Sequence, residues 1–140
     1  MLFGKRERML KRILIVEDEP LVAFDNEHML REAGYEIVAT VDTVPDAIRA
    51  IDEHVDLVLA DLTLSDGGSG RDVARAAQAK GVPLIFVTGD CPNDARSLAV
   101  GFLAKPYGQR DLLAAIEAVD AKLSGRPVRR LSKAFTLFAD

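Results

Sequence analysis

The sequence contains no tryptophan, a single cysteine and few aromatic residues, which make up 6% of its 140 positions. Because Cys91 has no second cysteine to pair with, an internal disulfide is excluded, which argues against a small disulfide-stabilised secreted domain. No apolar run approaches the roughly 20 residues that span a bilayer, and no signal-peptide core follows the basic first residues. These absences favour a cytoplasmic protein without a membrane span.

Charge is distributed unevenly along a chain whose net charge is −4. Residues 1–12 carry a net +4 and residues 125–140 a net +3, which leaves −11 for the residues between them. An acidic body with two short basic ends does not resemble a nucleic-acid binder, and no aromatic residues alternate with the N-terminal basic residues to stack on bases. We therefore expect no nucleic-acid partner.

Five short apolar runs have the length of β-strands. Each is apolar on both faces, which is typical of buried parallel strands and not of half-exposed antiparallel ones. The fifth run is the weakest of the set. They cover residues 13–16, 37–41, 57–60, 84–87 and 102–104.

Amphipathic helical patterns alternate with these strands. Pro20 stands at the first turn of the first pattern, and Gly34 and Gly81 end the first and third. The fourth, over residues 92–100, contains Pro92, and we expect a short or irregular helix there. The alternation predicts an α/β fold, the flavodoxin-like (βα)5 doubly wound parallel sheet with strand order 2-1-3-4-5. We expect a domain over residues 12–124, a basic extension over 1–11 and a basic amphipathic tail over 125–140.

The tail is the segment whose structure the sequence leaves most open. Three apolar residues fall at helical spacing among four basic ones. The segment is either a disordered end or an amphipathic element that packs on its own domain or on a second copy of the chain, which would give a homodimer. The residues concerned are Leu131, Phe135 and Phe138 with Arg126, Arg129, Arg130 and Lys133.

Polar side chains follow four of the predicted strands. Acidic residues 17–19 follow the first strand, Asp61 the third, Thr88 the fourth and Lys105 the fifth. In an open parallel sheet, ligands bind beyond the carboxyl ends of the strands, near the point where the strand order reverses. A single Asp or Thr after a strand is usually a cap or turn residue, but that explanation is hard to sustain for four groups at four strand ends.

The chemistry of these groups favours a magnesium site with an adjacent nucleophile. Carboxylates that converge on one pocket repel each other unless a cation joins them. Oxygen ligands without His or Cys favour Mg²⁺, which likes a phosphate partner. Lys105 can hold a phosphoryl oxygen as a compact charge and Thr88 can donate a hydroxyl hydrogen bond to another. A carboxylate such as Asp61, between metal, Lys and hydroxyl, is a workable nucleophile for acyl-phosphate formation.

The same segments resemble the receiver domain of two-component response regulators. The resemblance is carried by residues 13–20 (ILIVEDEP), 59–62 (LADL), 86–89 (FVTG) and 102–107 (FLAKPY), and it extends over about residues 11–123. It implies that Asp61 is the phosphoacceptor and receives a phosphoryl group from a sensor histidine kinase or a phosphotransfer protein. The fourth strand and the short segment after it resemble a Phe-Ala-Thr-Gly subgroup of stand-alone alphaproteobacterial receivers, with Val87 in place of Ala.

The resemblance also implies a role for each neighbour of Asp61. Asp18, Asp61 and the Thr63 backbone carbonyl would ligate Mg²⁺ directly, and Glu17 would do so through water. Thr88 and Lys105 would bind the phosphoryl oxygens, and Phe102 would be the switch aromatic that turns inward. The Lys105–Pro106 peptide would be cis. The resemblance does not identify the downstream protein partner.

Two other functions stay open beside a phosphoacceptor that signals by protein contact or serves as a phosphate shuttle or sink. One is an Mg²⁺-dependent phosphatase of the aspartyl-phosphate type. Against it, the acids after the first strand form a cluster with no separate acid/base Asp two residues on, and no cap domain is evident. The other is a receiver-like module that binds partners without being phosphorylated. Against it, Glu17, Asp18, Asp61, Thr88 and Lys105 are all present.

Overall fold

A six-stranded sheet forms the centre of the computed structural model, which describes residues 8–64, 67–128 and 131–138. The strand order is β2-β1-β3-β4-β5-β6. The first five strands are parallel, which confirms the predicted fold and order, and the sixth pairs antiparallel with β5. The strands are β1 (Arg12–Val16), β2 (Glu36–Val41), β3 (Leu57–Asp61), β4 (Leu84–Thr88), β5 (Gly101–Ala104) and β6 (Phe135–Leu137).

Four α-helices and one 3₁₀ helix connect the strands. The 3₁₀ helix Asn93–Leu98 lies where a short or irregular fourth helix was predicted, and it confirms that expectation. None of the helices in the described part of the chain is both long and apolar enough to cross a membrane. The α-helices are α1 (Pro20–Glu32), α2 (Val44–Ala50), α3 (Gly70–Ala79) and α4 (Gln109–Leu123).

Local chemistry sets the ends of these helices. The Thr43 hydroxyl accepts a hydrogen bond from the Asp46 amide at 3.2 Å, and the Ser69 hydroxyl accepts one from Arg71 N at 3.1 Å, so each caps the start of a helix. Gly34 and Gly81 follow α1 and α3 with φ of 96° and 71°, a conformation that glycine adopts without steric cost. Ser69 and Gly81 thus mark the two ends of α3.

Two apolar layers enclose the sheet, one on each face. On one face, α1 and α4 pack over alternate residues of the strands, with Leu30 and Ile116 fully buried. On the other, α2, α3 and the 3₁₀ helix pack over the remaining residues, around Phe86. β1, β3 and β4 are buried on both faces, which explains their continuous apolar runs, whereas the outer strand β2 is only half-buried. The carboxyl ends of the strands form the open edge of the sandwich.

Part of the C-terminal tail forms a strand, although its apolar residues fall at helical spacing. Residues 135–137 extend the sheet beyond β5, and Phe135 is buried in the layer that contains α1 and α4. Because side chains alternate between the faces of a strand, Phe135 and Phe138 lie on opposite sides of the sheet. The tail therefore packs on its own domain. Residues 1–7 of the predicted N-terminal extension, and tail residues 129–130 and 139–140, lie outside the described residues.

Asp120, on α4, binds the backbone of the residues just before β1. This carboxylate is buried and accepts hydrogen bonds from Met9 N at 3.2 Å and Leu10 N at 3.4 Å. It also accepts one from the Ser124 hydroxyl at 3.3 Å and lies 3.6 Å from the Arg126 guanidinium. The residues just before β1 are thus part of the packed domain.

We expect Asp120→Ala to lower the free energy of unfolding by about 1–3 kcal/mol, because it leaves the Leu10 amide without its acceptor in a buried position. Urea denaturation measures this loss. Asp25→Ala, on the exposed face of α1, is a suitable control and should change stability by no more than about 0.5 kcal/mol. Equal stability of the two variants would show that the contact contributes nothing.

Candidate functional site

The carboxyl ends of the parallel strands bring the predicted polar residues to one edge of the sheet. In the strand register, Val16 lies beside Ala60, Asp61 beside Val87 and Thr88 beside Ala104. The side chains that follow these strands therefore lie next to each other at the carboxyl end of the sheet. They line a shared cleft formed by Asp18, Glu19, Asp61, Thr63, Leu64, Thr88, Gly89 and Lys105.

Lys105 lies among three carboxylates. Its Nζ is 3.1 Å from Asp61 Oδ2, 3.3 Å from Glu17 Oε1 and 3.5 Å from Glu19 Oε1. Burial alone would lower the pKa of Lys105, but the hydrogen bond to Asp61 and the charges of Glu17 and Asp61 raise it above its usual value. The ammonium therefore remains charged and offsets part of the repulsion between the acids. The Lys105–Pro106 peptide bond is cis, as expected.

Asp61 is held at both of its oxygens. Oδ1 accepts a hydrogen bond from Thr63 N at 3.1 Å, and Oδ2 accepts one from Lys105 Nζ at 3.1 Å. The residue is 8% exposed, so its carboxylate reaches solvent only through the cleft. A carboxylate fixed in this way presents a defined oxygen to a reactant that enters the cleft.

Glu17 is the most deeply buried of the acids at this edge, with 4% of the residue exposed. Burial raises the pKa of its carboxyl above the usual value, partly opposed by the hydrogen bond from Glu19 N to Oε2 at 3.1 Å and by the charge of Lys105. Burial disfavours the charged form of Glu17, whereas the Glu19 amide and Lys105 favour it. A divalent cation would favour that form further.

Thr88 is directed toward the loop that follows β4. Its hydroxyl donates to the Asp90 carbonyl oxygen at 3.0 Å and accepts from Asp90 N at 3.3 Å. Thr88 is buried at the cleft, while Phe102 on the neighbouring strand is half-buried and packs against Phe138. The hydroxyl therefore has a partner in the loop and not in the acidic cluster.

Comparison with known proteins decides the family. The model of the response regulator receiver domain matches residues 13–117. The chain belongs to the response regulator receiver family. Three similar proteins show the range of the match. The phyllosphere-induced regulator PhyR of Methylorubrum extorquens is 33% identical over 77% of this chain and 43% of its own length. The solution structure of SdrG from Sphingomonas melonis Fr1 is 34% identical, with a TM-score of 0.67 over 79% of this chain and 97% of that one.

The third similar structure bears on the metal. The receiver domain of the sensor histidine kinase PA1611 from Pseudomonas aeruginosa is 28% identical, with a TM-score of 0.66 over 76% of this chain and 94% of that one. That structure has a magnesium ion coordinated in its active-site cleft. The chain spans about half the length of the curated relatives it matches.

The acidic site of this receiver domain suits a hard divalent cation. Carboxylate oxygens of Glu17, Glu19 and Asp61 all lie within 4.8 Å of one another. The set contains only oxygen donors, which is the chemistry that Mg²⁺ prefers. Three acids against one lysine also leave net negative charge for a cation to neutralise. The donors present therefore fit the predicted ion.

The composition of this cluster differs in one residue from the predicted ligand set. Glu17 and Asp61 converge as predicted, whereas Asp18 lines the same cleft without belonging to the group of three. Glu19, which was not predicted to be a ligand, belongs to that group, and the ligand roles of Asp18 and the Thr63 carbonyl stay predictions. Three consecutive acids follow β1, and nothing in their spacing indicates which two approach Asp61. Thr63 also lines the cleft, and it forms an isolated antiparallel bridge with Ser69, the residue before α3.

Proposed function

We propose that this receiver domain accepts a phosphoryl group on Asp61 from a sensor histidine kinase or a phosphotransfer protein, in an Mg²⁺-dependent reaction. The observation that supports it most is the position of Lys105, whose ammonium contacts Asp61 Oδ2 at 3.1 Å inside a cluster of oxygen donors. A phosphoryl group carried by Asp61 would therefore meet a fixed positive charge. We do not propose turnover of an external substrate: the domain would be a regulatory phosphoacceptor and not an enzyme.

In the proposed transfer, an oxygen of the Asp61 carboxylate attacks the phosphorus of a phosphohistidine. The new O–P bond forms as the P–N bond breaks, and the donor imidazole leaves with the electron pair of that bond. Lys105 stabilises the charge that spreads over the phosphoryl oxygens. Bound Mg²⁺ would neutralise the same charge and orient the donor. Asp18, Asp61 and the Thr63 carbonyl would ligate the ion, with Glu17 acting through water.

The proposed signal is a population shift between two states. The phosphoryl group carries nearly two negative charges and replaces the single charge of the Asp61 carboxylate, so the cleft gains about one negative charge. Thr88 would then give up its bond to Asp90 and donate to a phosphoryl oxygen, and Phe102 would turn inward. The size of the shift is limited by the difference in contacts that the phosphoryl group makes in the two states. The output would be altered affinity for a protein partner, or transfer of the phosphoryl group onward as a shuttle or sink.

Incubation with acetyl phosphate and Mg²⁺, followed by intact mass spectrometry, tests this proposal. We expect the mass to rise by one phosphoryl group, and we expect removal of Mg²⁺ with EDTA to prevent it. A sustained hydrolysis of varied phosphoesters would instead indicate a phosphatase. An unchanged mass would indicate a binding module that is not phosphorylated.

A further inference from the structure

The outer edge of β5 is covered by the chain's own tail. In the ladder between β5 and β6, Phe102 lies opposite Thr136 and Leu103 opposite Phe135. Two more backbone hydrogen bonds lengthen it, from Ala104 N to Ala134 O at 2.8 Å and from Phe138 N to Val100 O at 2.9 Å. An uncovered edge strand would expose a row of unpaired backbone groups to which another extended chain can pair. The tail forms hydrogen bonds with those backbone groups of β5.

Phe138 places the end of the tail against two parts of the proposed switch. Its ring centroid lies 6.0 Å from that of Phe102, and the Arg96 guanidinium lies 4.4 Å above its ring. Phe138 is 4% exposed, and its carbonyl oxygen accepts a hydrogen bond from Lys122 Nζ at 2.6 Å. The residue thus bridges β5, the 3₁₀ helix and α4.

Both contacts of the Phe138 ring depend on groups that phosphorylation would move. Thr88 can reach a phosphoryl oxygen only by giving up its hydrogen bond to Asp90 O, which lies in the loop leading to the 3₁₀ helix. That helix carries Arg96. Inward rotation of Phe102 would separate its ring from that of Phe138. Phosphorylation in the cleft therefore weakens two contacts of the tail, that of Phe138 with Phe102 and that of Phe138 with Arg96.

We propose that residues 131–138 of the tail form an autoinhibitory strand that covers the β5 edge and is released when Asp61 is phosphorylated. This inference rests on the proposed phosphoacceptor function. The coupling is reciprocal, since a tail that binds the unphosphorylated state more tightly must also oppose phosphorylation. Release exposes a sheet edge that an extended segment of a partner protein can pair with.

Hydrogen exchange on the full chain tests this inference. We expect the protection of the Phe138 amide, which donates to Val100 O, to fall at least tenfold after treatment with acetyl phosphate and Mg²⁺. The intact mass of the same sample reports how much of Asp61 is phosphorylated. A phosphorylated chain with unchanged tail protection would overturn the release while leaving the proposed function standing. A chain that takes up no phosphoryl group would overturn both.

Phe138→Ala provides an independent test through the reciprocal effect. Loss of the ring removes the contacts to Phe102 and Arg96, so we expect the ratio of phosphorylated to unphosphorylated chain at the end point of labelling by acetyl phosphate to be about fivefold higher in the variant. Leu131→Ala is the matched control, because Leu131 lies in the same tail but is 44% exposed. Equal labelling of the Phe138→Ala variant and the original chain, with both folded by circular dichroism, would contradict the coupling.

Discussion

Asp61→Asn is expected to reduce labelling by acetyl phosphate to background. The amide has no carboxylate oxygen with which to form an acyl phosphate. Its carbonyl oxygen can still accept a hydrogen bond from Thr63 N, as Asp61 Oδ1 does at 3.1 Å. The change also removes one of the three converging carboxylates, which relieves repulsion. The variant should therefore fold, and intact mass after treatment reports the loss of the phosphoacceptor alone.

Asp42→Asn is the matched control for this variant. Asp42 also follows the carboxyl end of a strand, since β2 ends at Val41, but it is exposed and does not line the acidic cleft. It should be labelled as fully as the original chain. Retained labelling of the Asp61→Asn variant would mean that another residue accepts the phosphoryl group.

Gly70→Ala is expected to be the most disruptive single-methyl change beside the site. A Cβ at this position would lie 2.4 Å from the Asp61 carbonyl oxygen and 2.7 Å from Leu62 Cα, and both are backbone atoms that cannot turn aside. In an exposed helix, alanine would be favoured over glycine by about 1 kcal/mol. Here overpacking outweighs that gain, so we expect a net loss of about 1–3 kcal/mol in the free energy of unfolding.

Because the clash falls on the strand end that carries Asp61, the same Gly70→Ala variant should also be labelled more slowly. Urea denaturation and intact mass measure the two effects. Gly89→Ala is the control for the steric argument, because a Cβ at Gly89 would meet no atom within 4 Å. Its stability should change by no more than about 0.5 kcal/mol. A Gly70→Ala variant as stable as the original chain would refute the close approach of α3 to β3.

The sheet and the site could be predicted because both follow from the same local pattern. Strands buried on both faces read as continuous apolar runs, and the residue after each run lies at the open edge. Asp61, Thr88 and Lys105 could therefore be assigned to one cleft before any contact was known. The Gly34 and Gly81 helix ends were likewise readable, since a positive φ at the end of a helix favours glycine.

The tail could not be predicted from its own residues. Leu131, Phe135 and Phe138 fit a helical spacing, and short amphipathic segments are ambiguous between helix and strand. Two distant features decide the outcome. The β5 edge offers unpaired backbone groups to the tail. Phe135 and Phe138 pack against apolar residues on opposite faces of the sheet. The contact of Glu19 with Lys105 was hidden for a similar reason, because it depends on how the chain leaves β1.

Locating the phosphoryl group on the original chain tests the central claim most directly. After acetyl phosphate and Mg²⁺ treatment, borohydride reduces an aspartyl phosphate to homoserine, and peptide fragmentation then identifies the modified residue. We expect homoserine at position 61 and at no other aspartate. Reduction at a different position, or none at all in the presence of Mg²⁺, would contradict the assignment of Asp61 as the phosphoacceptor.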